Sequence, residues 1–569
     1  MKQVNTAGLT FADLRDSDKY YVDKTLLIKD ILDSDDRGVY LYTRPRRFGK
    51  TTNISMLDAF FNMEYRGNAW FDDLAISDYA EYESYKNAFP VINLDMKDVT
   101  APDYDHFLAD MGEVVLEAFR EHAYLLDSPV IMEDERILFD SLFKGDADRT
   151  SLRFSIRKLS ALLHRHHGKK AVVLIDEYDC AVSDAFGEPS HRPMMDFLGD
   201  FMKATVKGNR NLQMAYVTGI MQIAKGSILS DLDNITVNTV FSTDSDERFG
   251  FTEEEVKRIL SDYGHPEKFE EARNWYDGYR FGGVDVYNPY SIMKYVSNHF
   301  TIDTYWINSG GDYVVRWLFE RISDDNFARV LGLIKGDAVD AQISDSLSYS
   351  QVRSDEISLY SLMVMAGYLK AVPQAGTGYR ISIPNAEVSS IISRLISGLY
   401  PVNTALFGEF NRSVLDHDAD KMAELFQKIL LGGSYMNLGH ENSYELILMT
   451  VMYCLTGRYF IRTEYEAGNG RTDIILNPKH EGAIPMVMEL KRVDSDADLD
   501  EGLDDAMHQI HRMRYYMGMP GAVILVAMSI HVKIPKVRTR IIDNGPDGLS
   551  YVPSDEDTGI AESAAIVHR

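Results

Sequence analysis

Cysteine is nearly absent from this sequence, which contains only Cys180 and Cys454 and no Cys-x-x-Cys pair. A disulfide framework or a structural zinc site is therefore not expected, and a reducing, cytoplasmic location fits best. Long apolar runs are also missing, since stretches such as residues 171–175 and 522–528 are far too short to cross a bilayer. Residues 1–11 contain no apolar segment of the kind that a secretory signal needs. We expect a cytoplasmic protein with no membrane partner.

Positive charge is scarce as well, with 59 lysines and arginines against 87 aspartates and glutamates and a formal net charge of −28. Because attraction to phosphates needs positive potential, this balance counts against a generic nucleic-acid coat protein. It does not exclude an enzyme whose groove is locally basic or whose metal ions offset the repulsion. The remaining composition is that of an ordinary globular protein, with 45% hydrophobic and 26% charged residues. A length of 569 residues suggests about three or four domains.

The first part of the chain, residues 1–245, alternates apolar runs with amphipathic helical patterns. Strands are expected at 39–43, 91–94, 171–175 and 214–218, and helices include 51–62, 105–123 and 151–166. Buried strands that alternate with helices favour a parallel sheet covered on both faces. We therefore predict that residues 1–245 form one α/β domain.

After residue 245 the pattern becomes mainly helical. Thr252 is a candidate helix N-cap, with Glu255 at the capping-box position. We predict that residues 246–400 form a helical lid and a small module, for which a winged helix is one candidate. Residues 401–435 are predicted to form a helical connector.

The final segment, residues 436–569, is again predicted to be α/β. Strands are expected at 459–465, 472–476, 486–492 and 522–527, and helices at 443–455 and 497–516. In the second helix, apolar residues at helical spacing predict a buried face: Leu499, Leu503, Ala506, Ile510 and Met513. The whole chain is therefore predicted to be a multidomain α/β protein.

A phosphate-binding loop is indicated by the segment RPRRFGKTT at residues 44–52, which lies between an apolar strand and a helix. In such loops backbone N–H groups surround the phosphates, a lysine reaches the β- and γ-phosphates, and a hydroxyl binds Mg²⁺. Gly49, Lys50 and Thr51 occupy these positions, whereas Arg44 stands where the general pattern has its first glycine. Taken alone, the loop could also be a basic turn at a helix N-terminus.

A second element supports the nucleotide site. The apolar strand in KKAVVLIDEYD ends in Asp176 and Glu177, which would hold Mg²⁺ and orient the attacking water. Paired acids can also be a solvated strand end. Thr218 closes a later strand, where it is either a sensor of the γ-phosphate or an ordinary strand residue. Other candidates for contact with the phosphates, for which surface solvation is an alternative, are Arg46, Arg47, Thr52 and Lys225.

Four segments in this region together resemble the bacterial AAA-ATPase-like family: YYVDKTLLIKDIL, TRPRRFGKTTNISMLDAFF, VVLIDEYD and VTGIMQIAKGSILSDLDNI. The resemblance covers roughly residues 1–310, and the family's loop commonly begins with Arg-Pro-Arg-Arg. It implies a P-loop NTPase fold and ATP binding through Lys50 and Thr51, with Asp176 and Glu177 at the metal. It also implies that three further residues lie near the nucleotide: Tyr21, Asp23 and Lys24.

A second group of candidate catalytic residues lies near the C-terminus. Asp473 begins one predicted strand, and Glu489 and Lys491 lie on the next. Because alternate strand residues point to one face, Glu489 and Lys491 project together, and a hairpin can bring Asp473 beside them. Two carboxylates can hold Mg²⁺ while a lysine positions water for phosphodiester hydrolysis. Acids and lysines are also common on exposed strand faces. Here the apolar neighbours of Glu489 and Lys491 indicate a buried strand, and buried charged side chains need partners, which a catalytic site would supply.

The same segment resembles the PD-(D/E)XK nuclease domain that commonly follows this ATPase in bacterial proteins. The resemblance covers roughly residues 430–530 and rests on the ExK motif and on an ExGxGRxDxxL turn, which includes Glu466, Gly468, Gly470, Arg471, Asp473 and Leu476. It implies a restriction-endonuclease-like α/β fold, with Mg²⁺, or alternatively Mn²⁺, at Asp473 and Glu489. Gln509 stands at the position of the family's auxiliary glutamine.

These observations predict an ATP-binding and ATP-hydrolysing protein coupled to a Mg²⁺-dependent nuclease that acts on nucleic acid, with DNA favoured. One alternative is a nucleotide-controlled switch whose C-terminal domain binds a partner or nucleic acid without cleavage. Another is a defence or mobile-element protein that cuts RNA. Assembly into a homo-oligomer is left open. The basic stretch at residues 531–540 either contacts phosphate or forms a charged edge strand.

Overall fold

The computed structural model describes residues 2–4, 8–34, 38–100, 102–222, 235–306, 313–319, 324–334, 336–353, 355–376, 378–399, 404–432, 441–452, 455, 458–479, 482–519, 521–545 and 548–551. The chain divides into two compact units, Met1–Ser323 with Gly336–Ile391, and Asp324–Lys335 with Ile392–Arg569. Within the described ranges, no helix is long and apolar enough to cross a membrane.

The first unit is built on a sheet of five parallel strands in the order β2-β3-β4-β1-β5. The strands are β1 (Val39–Thr43), β2 (Val91–Asp95), β3 (Ala171–Asp176), β4 (Leu212–Gly219) and β5 (Ile235–Asn238). Every residue of β1 and β3 is buried, as expected for central strands covered on both faces.

Nine helices accompany this sheet in the described part of residues 1–206. They are α1 (Phe11–Asp16), α2 (Leu26–Ser34), α3 (Lys50–Phe61), α4 (Tyr82–Tyr85), α5 (Tyr104–Glu121), α6 (Glu133–Lys144), α7 (Arg149–His167), α8 (Cys180–Asp184) and α9 (His191–Val206). The predicted strands and helices of this region are confirmed within a few residues. Strand β5 was not predicted, because it lies at the sheet edge, is only partly buried and lacks a continuous apolar run.

The following segment contains more strands than its helical pattern indicates. Its elements are α10 (Glu253–Asp262), α11 (Phe269–Tyr276), β6 (Tyr279–Phe281), β7 (Val284–Val286), α12 (Pro289–Ser297), α13 (Tyr313–Phe319), α14 (Asp324–Ile334), β8 (Val339–Ala341), α15 (Glu356–Met365), β9 (Lys370–Pro373), β10 (Tyr379–Ser382) and α16 (Ala386–Leu399). Strands β6 and β7 form a hairpin, and β8, β10 and β9 form an antiparallel sheet in that order. The capping box of Thr252 and Glu255 at the start of α10 is confirmed.

The second unit contains a mixed sheet of six strands in sequence order, in which only β13 and β14 are parallel. Its elements after α16 are α17 (Thr404–Leu415), α18 (Ala419–Gly432), α19 (Glu441–Met452), β11 (Tyr459–Ala467), β12 (Gly470–Pro478), β13 (Met486–Arg492), α20 (Leu499–Met513), β14 (Gly521–His531), β15 (Ile534–Gly545) and β16 (Gly548–Tyr551). The strands and helices that the sequence predicts here are confirmed.

Helices cover both faces of this sheet. On one face the predicted apolar side of α20 packs on the sheet, as Leu503 and Ile510 cluster with Val487 and Leu525. On the other face α17, α18 and α19 form a second core with the intervening residues of the same strands. A strand buried on both faces needs apolar residues at successive positions, which explains why β13 and β14 read as continuous apolar runs.

The basic stretch at residues 531–540 forms most of β15, which lies between β14 and β16. Among the described residues, β16 pairs only with residues 542–545 of β15, so the alternative of a charged edge strand is not contradicted for residues 534–540. Two of its basic side chains pair with acids of α20: Lys536 with Asp500 at 2.6 Å, and Arg538 with Asp504.

Candidate functional site

The loop between β1 and α3 has the backbone shape of a phosphate-binding loop. Gly49 has a φ of 87°, in the left-handed region that glycine adopts without strain, and α3 begins at the next residue. The buried Nζ of Lys50 donates hydrogen bonds to the carbonyl oxygens of Arg44 and Pro45, both at 3.1 Å. Burial lowers the pKa of Lys50. The lysine therefore closes the loop upon itself at the N-terminus of α3.

The carboxyl end of β3 lies beside this loop. Asp176 is only 4% exposed and accepts a hydrogen bond from the hydroxyl of Thr218. Burial raises the pKa of Asp176, and hydrogen bonds from Thr218 and Thr51 partly offset the rise. Glu177 donates its N–H to Asp176 Oδ1 at 3.0 Å. The structure thus brings together the residues that the sequence assigns to the metal and the attacking water.

A cavity of about 640 Å³ opens at this point. The predicted site residues that line it are Arg46, Arg47, Gly49, Lys50, Thr51, Thr52 and Glu177. Its other walls include Tyr21, Val22, Phe251, Pro289 and Tyr290. This size and mixture of apolar and charged walls suit a nucleotide, whose base and phosphates differ in polarity.

Two of the three residues placed near the nucleotide by family resemblance, Tyr21 and Lys24, line the cavity. The Nζ of Lys24 is engaged by Glu255, at 2.7 Å from both carboxylate oxygens. The expectation for Asp23 stays a prediction; its carboxylate accepts hydrogen bonds from the N–H groups of Thr25 at 2.8 Å and Ala75 at 2.7 Å. Asp23 therefore stabilises the start of α2. Lys225 lies outside the described residues.

The arginines of the loop differ in their surroundings. Arg44 is fully buried beneath the loop. Arg47 places its guanidinium carbon 4.5 Å from the centre of the Tyr290 ring. Burial raises the pKa of Asp184, and the positive charge of Arg46, which lines the same cavity, opposes the rise. Of the three arginines, Arg46 and Arg47 line the cavity.

In the second unit, Asp473, Glu489 and Lys491 share the face of the sheet that carries α20. Glu489 and Lys491 alternate with Leu490, which belongs to the core on the opposite face. The pairing of β12 with β13 ends at Ile474 and Met488, and beyond this point Asp473 Oδ2 accepts the N–H of Leu490 at 2.6 Å. The Asp473 carboxylate therefore takes the place of the next strand-to-strand hydrogen bond, directly beside Glu489.

Glu489 is the most deeply buried member of this group, at 1% exposure. Its Oε1 lies 3.2 Å from the Nζ of Lys491, and its Oε2 has no hydrogen-bond partner among the described residues. Burial and the charge of Asp473 raise the pKa of Glu489 to about 8, while Lys491 opposes the rise. Two adjacent carboxylates that resist joint ionisation are a favourable place for a cation.

Gln509 and Tyr515 border the carboxylates. Gln509 Nε2 donates to the hydroxyl of Tyr515 at 3.1 Å. The pKa of Tyr515 is raised chiefly by burial, and the charges of Glu489 and Asp473 raise it further. Within the described part of the chain, no three or more His, Cys, Asp or Glu side chains form a metal-binding group. Asp473 and Glu489 would therefore share a cation with backbone oxygen, water or substrate.

Sequence reasoning missed Asp179, the second aspartate of the VLIDEYD segment. It is 2% exposed, and its carboxylate accepts hydrogen bonds from the N–H groups of Ile220 and Met221 and from the hydroxyl of Tyr349. The sequence did offer a signal for Asp179: it follows Asp176 by three residues and precedes an apolar stretch, which indicates burial. A buried acid needs hydrogen-bond partners, so a structural role could have been expected.

Comparisons with known proteins match both parts of the chain that carry these residues. Residues 7–229 match a family model described as "Predicted AAA-ATPase", and residues 439–523 match the model of the PD-(D/E)XK nuclease superfamily. The chain is also similar to an uncharacterized protein in the vnfD 5′ region of Azotobacter chroococcum mcd 1. The two are 26% identical over 398 residues, which cover 68% of each chain.

Proposed function

We propose that this chain, which joins an AAA-ATPase-like domain to a domain of the PD-(D/E)XK nuclease superfamily, hydrolyses ATP and thereby controls a Mg²⁺-dependent nuclease acting on nucleic acid, with DNA as the favoured substrate. The observation that carries the proposal is the placement of Asp473 beside Glu489 and Lys491 on one face of a sheet. The same chain also carries a phosphate loop next to two acids at a strand end.

In the N-terminal domain, Lys50 would exchange its hydrogen bonds to two loop carbonyls for bonds to phosphate oxygens. The hydroxyl of Thr51 and the carboxylate of Asp176, which already interact, would hold Mg²⁺. When bound with ATP, Mg²⁺ would neutralise charge on the β- and γ-phosphates. Glu177, which lines the cavity, would orient the attacking water.

In the C-terminal domain, Asp473 and Glu489 would hold Mg²⁺ or Mn²⁺, and the unpartnered Oε2 of Glu489 supports this fit. A bound cation would supply neutralisation of the charge that develops on the phosphodiester. Glu489 would give up its proton on binding the cation, since a carboxylate binds metals in its ionised form. Lys491 would then position water or a phosphate oxygen on the same side of the strand.

The proposal is tested with purified full-length protein in Mg²⁺ or Mn²⁺, with and without ATP, on single- and double-stranded DNA and RNA. We expect Glu489→Gln and Lys491→Ala to lower cutting by at least about 100-fold, because Glu489 would hold the cation and Lys491 would position water or a phosphate oxygen. Their ATP turnover should stay within about twofold of the original rate. Lys50→Ala should abolish ATP turnover. Glu424→Gln, at an exposed glutamate paired with Lys421 and Lys428, is the matched control.

Three outcomes would distinguish the proposed function from its alternatives. Cutting that survives both Glu489→Gln and Lys491→Ala contradicts the assigned nuclease site. ATP turnover without cutting of any substrate favours the switch that binds a partner or nucleic acid without cleavage. A cutting rate that is the same with ATP, without ATP and in Lys50→Ala contradicts control of the nuclease by ATP.

A further inference from the structure

Asp179 is a buried carboxylate behind the cavity at the phosphate loop, and the proposed mechanism of ATP hydrolysis gives it no role. Its oxygens accept the N–H of Ile220 at 3.0 and 3.1 Å and the N–H of Met221 at 2.9 Å. The hydroxyl of Tyr349 donates to it as well, at 3.0 Å. Three donors therefore converge on one carboxylate and bind the turn after β3 to the loop after β4.

Further hydrogen bonds join the same two segments. The N–H of Tyr178 donates to the carbonyl oxygen of Thr218 at 3.0 Å, and the Tyr178 hydroxyl donates to the carbonyl oxygen of Met221 at 2.8 Å. A Cβ on residue 219 would lie 2.5 Å from Asp179 Oδ1, so only glycine fits at this position beside the carboxylate. Residues 177–179 and 218–221 thus form one bonded unit, which we call the strand-end clamp.

The strand-end clamp holds Glu177 in an unfavourable backbone conformation. Its φ is 48°, in the left-handed region that costs a non-glycine residue about 1 kcal/mol or more. Such conformations persist where the surrounding structure over-determines them, as the hydrogen bonds to residues 218–221 do here. Because Glu177 lines the cavity and Asp179 is buried behind it, Asp179 can act on the reaction only through its neighbours.

We infer that Asp179 is a positioning residue: through the strand-end clamp it keeps the carboxylate of Glu177 directed at the water that attacks ATP. This inference rests on the proposed ATP hydrolysis and adds a residue to it. Asp179 makes no contact with the nucleotide, so its loss should change the rate of the chemical step and leave nucleotide binding nearly unchanged.

The test is Asp179→Asn, which keeps the shape of the side chain but turns an N–H₂ group toward groups that are themselves donors. We expect kcat for ATP to fall about 10- to 100-fold, while KM and the affinity for a fluorescent ATP analogue change less than about threefold. In a Glu177→Gln background the same change should lower the rate less than about twofold, because no carboxylate remains to be positioned.

Asp58→Asn is the matched control, since Asp58 lies on α3 and accepts hydrogen bonds from Asn62 and the hydroxyl of Tyr65. It should leave kcat unchanged. If Asp179→Asn fails to fold, Tyr349→Phe removes a single donor and should lower kcat about two- to fivefold, again only when Glu177 is present.

A loss that persists undiminished in the Glu177→Gln background, or a parallel rise in KM, overturns the inference. So does an Asp179→Asn protein with unchanged kcat. A wild-type protein that does not hydrolyse ATP removes the proposed function, and the inference falls with it. An active wild type with an unaffected Asp179→Asn variant removes the inference alone.

Discussion

Arg44 occupies the position at which phosphate loops usually have their first glycine, and its side chain enters the core. The guanidinium group donates hydrogen bonds to the carbonyl oxygens of Thr43 at 2.9 Å and Asn238 at 3.1 Å, and to the Asn238 side chain. Its carbon lies 4.7 Å from the centre of the Phe249 ring and 5.3 Å from that of Phe281. Burial lowers its pKa to about 10, which leaves it charged at neutral pH. Arg44 therefore joins β1 to β5 below the loop.

This arrangement predicts that Arg44→Lys is not a conservative change. A lysine ammonium cannot reproduce the planar fork that reaches three acceptors, so buried oxygens would lose their partners. We expect the free energy of unfolding in urea to fall by about 2–4 kcal/mol. Arg47→Lys, at an exposed position of the same loop, should change it by less than about 0.5 kcal/mol. Equal effects of the two substitutions would contradict the structural role of Arg44.

At the scale of secondary-structure elements, the turn between β11 and β12 fits closely against the end of α20. Gly468 has a φ of 56°, and a Cβ there would lie 2.2 Å from the carbonyl oxygen of Met513. The N–H of Asn469 donates to that same oxygen at 2.7 Å. The turn thus fixes the end of α20, the helix that carries Gln509, whose side chain donates to the hydroxyl of Tyr515.

Gly468→Ala should therefore displace the end of α20. We expect it to destabilise the C-terminal domain by about 2–4 kcal/mol, from steric overlap in addition to backbone strain. Gly482→Ala is the control, because Gly482 also has a positive φ, of 91°, but a Cβ there meets nothing within 4 Å. It should cost only about 1–2 kcal/mol. The amide hydrogen exchange of α20 would be measured in both variants. Equal protection of α20 in Gly468→Ala and Gly482→Ala would contradict the prediction.

At the scale of the whole molecule, charge limits how nucleic acid can bind. The net charge is −28, and the basic residues Lys536 and Arg538 of β15 already pair with acids of α20. Two of the acids in this balance, Asp473 and Glu489, lie in the candidate nuclease site. Because phosphate affinity depends on positive potential, a divalent cation should be required for binding as well as for cleavage.

This requirement can be measured by fluorescence anisotropy with labelled DNA and the Lys491→Ala variant, whose cutting should be at least about 100-fold slower. At about 150 mM salt, we expect binding in Mg²⁺ to be at least about tenfold tighter than in a chelator. Adding Asp473→Asn should remove most of this difference, because it deletes one of the two carboxylates that would hold the cation. Equally tight binding in a chelator would show that the cation is not needed for binding.

The local sequence was sufficient to place four strands of each main sheet and the segments that carry both candidate sites. Continuous apolar runs predicted β1 and β3, helical spacing predicted the buried face of α20, and the Gly-Lys-Thr and Glu-x-Lys patterns located the candidate site residues. These features depend on residues close together in the chain, where steric rules and the period of helices and strands act directly. The sharing of one face by Glu489 and Lys491 follows from strand geometry in the same way.

Contacts between distant segments could not be read from the sequence. Which segments become neighbours decides three features: the burial of Arg44 against Asn238, the pairing of the end of β15 with β16, and the convergence of Ile220, Met221 and Tyr349 on Asp179. A charged side chain looks the same in a sequence whether it faces water, a ligand or a buried partner. Folding separates these cases, because burial without partners is costly and packing determines which partners each group finds.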